Sequence, residues 1–278
     1  MSFVEEKSSW GRRLLLSPYA LWSALFIVVP LAIVVYYTFT DANGAFTMNN
    51  VMALGDYADI FGVSVWYSLI ATVITLLVAY PFAYCLSRWP EHAQGILVML
   101  VMLLMWMNML IRTYSWMNIL ENNGIINNFL GFFGIEPIKM IGTPGAVIFG
   151  MIYNYFPYMV IPIYNAISKI EPSLLEAAED LGSNGWSKIR RIIMPMSMPG
   201  VISGITMVFV PSVSTFYISQ KLGGGKIMLI GDAIERQIQV SYNYNLGAAI
   251  SFVLMILILV SLAIMNRFTD DEDGGMIV

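Results

Sequence analysis

Six long stretches without a single Asp, Glu, Lys or Arg constrain this chain more than any other feature; they cover residues 14–40, 60–87, 93–111, 140–168, 192–220 and 237–266. A helix crossing a hydrocarbon core about 30 Å thick needs about 20 such residues, since charges are poorly tolerated there and every backbone polar group must be bonded internally. Helices of that length in soluble domains expose a charged face. Across the 278 residues, only 12% are charged, against about 25% in an average soluble domain. The pattern predicts an all-α, polytopic membrane protein, a single transmembrane domain over 1–278 with six transmembrane helices. Their expected positions are about 18–40, 63–87, 94–112, 145–167, 199–219 and 245–266.

Several chemistries are excluded by what the chain lacks. A formal charge of -4 provides no basic footprint for nucleic acid. Cys85 is the one cysteine and His92 the one histidine, so neither an internal disulfide nor a His/Cys metal cluster can be built. A phosphate-cradling loop requires Gly, four residues, Gly, Lys and a hydroxyl residue. Gly225 and Lys226 are followed by Ile227, and Gln220 occupies the first glycine position. No catalytic residue, metal ligand or ATP site is predicted in this chain.

Basic residues set the expected orientation, because inside loops retain them in excess. With the N-terminus inside, nine fall on the inside (Lys7, Arg12, Arg13, Arg88, Lys169, Lys188, Arg190, Arg191, Arg267) and five outside (Arg112, Lys139, Lys221, Lys226, Arg236). Both termini are therefore expected in the cytoplasm. The first run, after Trp10, Arg12 and Arg13, is too long for a secretory signal and is expected to stay as an uncleaved span. Asp270, Asp271, Glu272 and Asp273, with Gly274 and Gly275, are expected to form a solvated, disordered tail. Pro81, Pro157, Pro162 and Pro211 lie inside the runs, where each removes a backbone donor and invites a kink.

One inside segment, 169–198, is long enough for structure of its own. Ser173 with Glu176 three residues on has the form of a capping box, and Gly182 supplies a C-terminal stop. A second helix is expected from about Asn184 to Pro195, with Trp186, Ile189 and Ile193 on one face. In the first helix Ala177 and Ala178 present almost no bulk, so another surface can approach the backbone, while Glu176, Glu179 and Asp180 supply fixed charge.

These residues resemble a known family, the membrane permease subunits of ATP-binding-cassette (ABC) importers. The family's mark is Glu-Ala-Ala, three residues, Gly, nine residues, Ile, two residues, Pro. Here Glu176, Ala177, Ala178, Gly182, Ile192 and Pro195 stand in that register, with Met194 where leucine is usual. The resemblance covers nearly the whole chain and is closest to the spermidine/putrescine (PotB-type) permeases, through Tyr80 to Tyr84, Asn108 to Trp116, Ser173 to Gly182, and Gly223 to Gly231. Asp232 departs from the asparagine often found there.

The resemblance implies a type I ABC importer permease fold in a bacterial inner (cytoplasmic) membrane, with a coupling helix between the fourth and fifth spans. Glu176, Ala177, Ala178, Asp180, Leu181 and Gly182 would engage the ATPase. It implies a second, homologous permease subunit (PotC-like), two ATPase subunits (PotA-like) that use ATP-Mg, and an extracellular polyamine-binding protein (PotD-like). From the residues alone a permease homodimer, and a permease for another small solute or ion, stay open. A secondary transporter would place ionisable groups inside its spans, whereas the six runs hold no Asp, Glu, Lys or Arg.

The spans offer aromatic and small polar groups in place of carboxylates. Tyr153, Tyr158, Thr215 and Tyr217 are the candidate pathway residues, since aromatic faces stabilise a passing ammonium without holding it tightly. Tyrosines at span ends also serve as interfacial belt residues. Arg112 would repel a polyamine and is expected to anchor a helix end beside Tyr114 and Trp116.

Overall fold

The computed structural model describes residues 18–273, so Trp10, Arg12 and Arg13 at the N-terminal end, and Gly274 and Gly275 beyond the acidic residues, lie outside the described residues. Its principal helices are α1 (Pro18–Thr38), α2 (Ala58–Ser87), α3 (Glu91–Trp106), α4 (Met109–Leu120), α5 (Ile125–Gly131) and α6 (Pro144–Ser168). They continue as α7 (Pro172–Asp180), α8 (Gly185–Met196), α9 (Met198–Ser214), α10 (Tyr217–Leu222), α11 (Ile230–Glu235) and α12 (Tyr244–Asp273). Among the described residues, four helices are individually long and apolar enough to cross a membrane, and two bent pairs bring the number to as many as six.

The third uncharged run is not one helix. α3 stops at Trp106, Met107 is extended, and the next segment leaves at 90°. Asn108 is the cause: its side chain accepts a hydrogen bond from the Leu110 N–H at 2.8 Å and caps α4, offering the backbone an alternative to continuing α3. The expected span over 94–112 is thus replaced by a helix over Glu91–Trp106 followed by a turn. The expected span over 199–219 is likewise interrupted at Thr215, whose backbone is extended before α10 begins. At the other end, residues 270–273 continue α12 as its last turn rather than forming coil, since no glycine or proline intervenes before Gly274. Pro81, Pro157 and Pro162 are carried inside α2 and α6 without dividing either helix.

The chain forms two compact units. One contains the residues up to Tyr57 together with Ile234–Met255. There the end of α1 is closed by a turn in which the Asp41 carboxylate accepts from the N–H groups of Asn43 and Ala45. The amides of Asn50 and Asn245 donate to the carbonyl of Thr40, and Phe39 meets Phe252 edge-on.

The second unit spans Ala58–Ala233 and the chain from Ile256. Its centre is the packing of α2, α6 and α9 on one another. α2 presents a stripe of small residues, Ser64, Ser68, Ala71, Thr75, Ala79 and Ala83, all buried. α9 contributes Gly200, Gly204, Val208 and Ser212 at intervals of four, and α6 fills the space between with Met151, Met159 and Ile163. Small residues allow close backbone approach, which drives helix association where lipid removes the ordinary hydrophobic incentive. The hydroxyls of Thr72, Thr75 and Ser212 donate to carbonyls four residues back, so these polar groups sit in the interior with partners.

Candidate coupling loop and membrane pathway

Between α6 and α9 the chain leaves the bundle as a helix–turn–helix. α7 begins at Pro172, whose fixed φ and missing N–H suit the first helical position, with Glu171 as the preceding residue. The expected capping box is therefore displaced: Ser173 lies within the first turn and its hydroxyl donates to the Glu171 carboxylate at 3.3 Å. The stop is at Gly182, which adopts φ +80°. The Gly182 N–H donates to the Glu179 carbonyl at 2.8 Å and the Ser183 N–H to the Ala178 carbonyl at 2.9 Å, the paired closing bonds of a Schellman end.

The two alanines of the motif differ in burial. Ala178 is buried with Leu175, whereas Ala177 is exposed in line with Leu174 and Leu181. Leu181 is 87% exposed, too much for a leucine that has a partner within the chain. Glu176, Glu179 and Asp180 flank this apolar stripe and are exposed. α8 then starts at Asn184, whose carboxamide oxygen accepts from the Ser187 N–H at 2.8 Å. Lys188 of α8 pairs with Glu179 of α7, tying the two helices.

That pair has a pH consequence. The Lys188 ammonium donates to Glu179 and holds its carboxyl below the usual carboxylate range. A depressed carboxylate contributes stability that is present above its ordinary pKa and lost as pH falls through the lower, folded value. Amide exchange across 172–196 is expected to quicken on acidification into that range, and Glu179→Gln is expected to remove the pH dependence. An unchanged pH profile in the variant would show that the pair does not fasten the hairpin.

The helix–turn–helix joins the bundle at a 65° bend between α8 and α9. Ser197, fully buried at the bend, donates to the Met194 carbonyl at 3.1 Å, and its oxygen lies 2.9 Å from the Tyr80 hydroxyl of α2. Movement of α7 and α8 is thereby tied to two helices of the core. Tyr80 was legible only as part of a motif; its role at the bend follows from its contact with Ser197.

The four candidate pathway residues fall into separate groups. Tyr158 meets Tyr155 edge-on, and Thr215 lies beside the same Tyr155, whose hydroxyl donates to the Pro211 carbonyl at 3.3 Å. Tyr155 therefore joins Tyr158 and Thr215 into one cluster spanning α6 and the break after α9. Tyr158 also borders a recess of about 620 Å³ with Lys169 on its lining, at the coupling-loop end. Tyr153 packs instead on Trp116, and Tyr217 on Tyr114. The Lys221 ammonium stands 5.0 Å from the Tyr114 ring and 5.7 Å from that of Tyr217.

Arg112 stands at a helix end, but inside the protein. It is 95% buried by its 5% exposure, in the first turn of α4, and its Nε and Nη1 have no hydrogen-bond partner among the described residues. Asp232, which stands where the family often has asparagine, is also buried; one of its oxygens accepts from the Leu229 N–H at 2.8 Å, beside Ser64, which accepts from the Ile230 N–H. It closes the start of α11.

Solved structures share this architecture. A bacterial ABC transporter involved in import of the acidic polysaccharide alginate matches with a TM-score of 0.74, covering 94% of this chain and 96% of that one at 18% identity. A second alginate transporter structure, in complex with a pentasaccharide-bound periplasmic protein, matches with a TM-score of 0.76 over 94% of both chains at 17% identity. The shared fold is that of a type I ABC importer permease. The chain belongs to the family of binding-protein-dependent transport system inner membrane components, whose profile matches residues 2–270. Among its relatives, the spermidine/putrescine transport system permease protein PotB of Haemophilus influenzae is 37% identical over 246 residues, 85% of this chain and 86% of the relative. PotB of Escherichia coli is 37% identical over 245 residues, 84% of this chain and 89% of the relative.

Proposed function

We propose that this chain is a permease subunit that forms part of the translocation pathway for polyamines, spermidine or putrescine, in an ATP-driven importer. The observation that carries the solute class is the 37% identity to PotB along 85% of the chain. Its physical chemistry fits a conduit rather than a high-affinity site. The uncharged runs contain no carboxylate to trap a polycation, and Arg112 lies buried near Tyr155. Tyr155, Tyr158 and Thr215 offer ring faces and a hydroxyl that stabilise an ammonium weakly, so selection falls to a separate binding protein.

In this reading α7 docks on a cytoplasmic ATPase that binds and hydrolyses ATP-Mg, and both termini are cytoplasmic. The Leu174, Ala177 and Leu181 stripe enters the ATPase cleft, and the Tyr80–Ser197 contact passes its movement to the bundle. A second, PotC-like permease completes the pathway, with two PotA-like ATPases and a PotD-like binding protein. On the opposite side of the bundle, Lys139 and Lys226 line a recess of about 460 Å³ together with Glu121. Lys226 holds the Lys139 ammonium below the usual lysine range, so a carboxylate from the binding protein would be welcome there.

Reconstitution of the complex in vesicles tests the proposal. Uptake of labelled spermidine is expected only with ATP inside and the binding protein outside. Uptake driven by a proton gradient alone would refute the energy source, and ATP-dependent uptake of a different solute with none of spermidine or putrescine would refute the solute class.

A further inference from the structure

An apolar groove runs between α2 and the α8–α9 bend, and of its walls the transport reading uses only Tyr80. It has a volume of about 520 Å³ and is lined by Leu76, Leu77, Tyr80, Pro81 and Tyr84 on one side and by Trp186, Ile189, Met194, Met198 and Val201 on the other. Leu77 is 67% exposed and Trp186 71% exposed.

The groove is polarised along its length. Chain direction places Leu76, Leu77, Met198 and Val201 toward the membrane interior, and Tyr84, Trp186 and Ile189 toward the coupling loop. At that second end lie cations. The Arg88 guanidinium sits 5.1 Å above the ring of Tyr84, itself a wall of the groove. Arg190 is exposed and follows Trp186 by four residues, with Met194 four further on, so it shares their helix face between two groove-lining residues. Trp186 and the exposed Trp89 add the amphipathic rings that favour the level of the headgroups. A long hydrocarbon slot with arginines and tryptophans at one mouth matches a molecule with an apolar tail and a negative head. Arginine in particular suits a phosphate, which its planar donors can bind through two oxygens.

We propose that this groove holds an acyl chain of an anionic phospholipid, with the headgroup phosphate taken by Arg88 and Arg190. The occupied slot lies against Tyr80, one partner of the Tyr80–Ser197 contact, so the lipid would brace the joint between the coupling loop and the bundle. The inference depends on membrane residence and is independent of which solute is carried.

The full chain, purified with its partner subunits and stripped of native lipid, can be titrated with dioleoyl phosphatidylglycerol or dioleoyl phosphatidylcholine and read by native mass spectrometry. Phosphatidylglycerol is expected to be retained more tightly, and an Arg88→Gln/Arg190→Gln double variant to lose about fivefold for each arginine. Leu77→Trp, which fills the slot from an exposed position, is expected to lower retention of both lipids while the partner subunits still co-purify. Equal retention of the two lipids by the unaltered complex, or unchanged retention by the double variant, overturns the proposal. A photoreactive residue at position 77 gives a check that needs no arginine variant: crosslinking to phosphatidylglycerol supports the site, and crosslinking only to protein refutes it.

Discussion

Ala177→Glu is expected to lower ATP-driven uptake by about a hundredfold, the consequence of several kcal/mol lost when a carboxylate is pressed unpaired into an apolar docking cleft already flanked by acidic groups. Ala177 is exposed, lies in line with Leu174 and Leu181, and is free of the bundle core. The variant should therefore reach the membrane and melt like the parent while its ATPase no longer co-purifies. Ala178→Glu tests something different: Ala178 is buried with Leu175, so a carboxylate there damages the attachment of α7 as well as any docking. Gly182 supplies a second, backbone-level test. An added Cβ would meet nothing within 4 Å, so the barrier to substitution is φ +80° alone. Gly182→Val should impair uptake and Gly182→Asn should retain most of it, because asparagine tolerates the left-handed region. Normal uptake and ATPase co-purification with Ala177→Glu would remove α7 as the coupling element.

A large structural effect is expected at Gly200. A Cβ there would lie 2.5 Å from the Ala166 Cβ and 2.6 Å from the Pro162 carbonyl oxygen, and backbone cannot step aside as a flexible side chain does. Gly200→Val should separate α9 from α6 and cost about 3 kcal/mol or more, enough to remove most folded protein. At Gly204 the close atom is the Met159 sulfur at 2.7 Å, on a side chain that can turn, with the Met159 carbonyl oxygen next at 3.2 Å. Gly204→Ala should accordingly be milder. Thermal melting of the detergent-solubilised complex, followed by size-exclusion chromatography, orders the two. If Gly200→Val melted with the parent, the close α6–α9 crossing would be wrong.

Membrane residence and the coupling loop could be read directly from residue order. Uncharged runs report burial in lipid because the bilayer penalises a charge wherever the helix places it, without reference to neighbouring helices. The loop is legible for a similar reason: a proline start, a glycine stop and an Asn cap act over a few residues. Even so, a local rule can be displaced by a neighbour. Ser173 and Glu176 had the spacing of a capping box, yet Pro172 took the first helical position. Asn108 likewise ended a run that charge spacing alone had continued.

Which face of a helix meets which partner is another kind of information. Ala177 and Ala178 are equivalent by composition, and only the seating of α7 turns one inward. Tyr153, Tyr158, Thr215 and Tyr217 formed one candidate set by residue type, but contacts between distant segments divide them and bring in Tyr155 as the link between two. Arg112 and Asp232 are charged residues that nevertheless lie buried, because the surrounding segments, not their own charge, set their depth. Residue order by itself determined that this chain lives in a membrane and carries a capped helix–turn–helix between two of its spans, since both follow from short-range chemistry and the solvent. Tertiary structure alone decided which small residues allow helices to touch, which side chains converge, and where an apolar slot stays open between α2 and the α8–α9 bend, since these depend on the crossing of segments far apart in the chain.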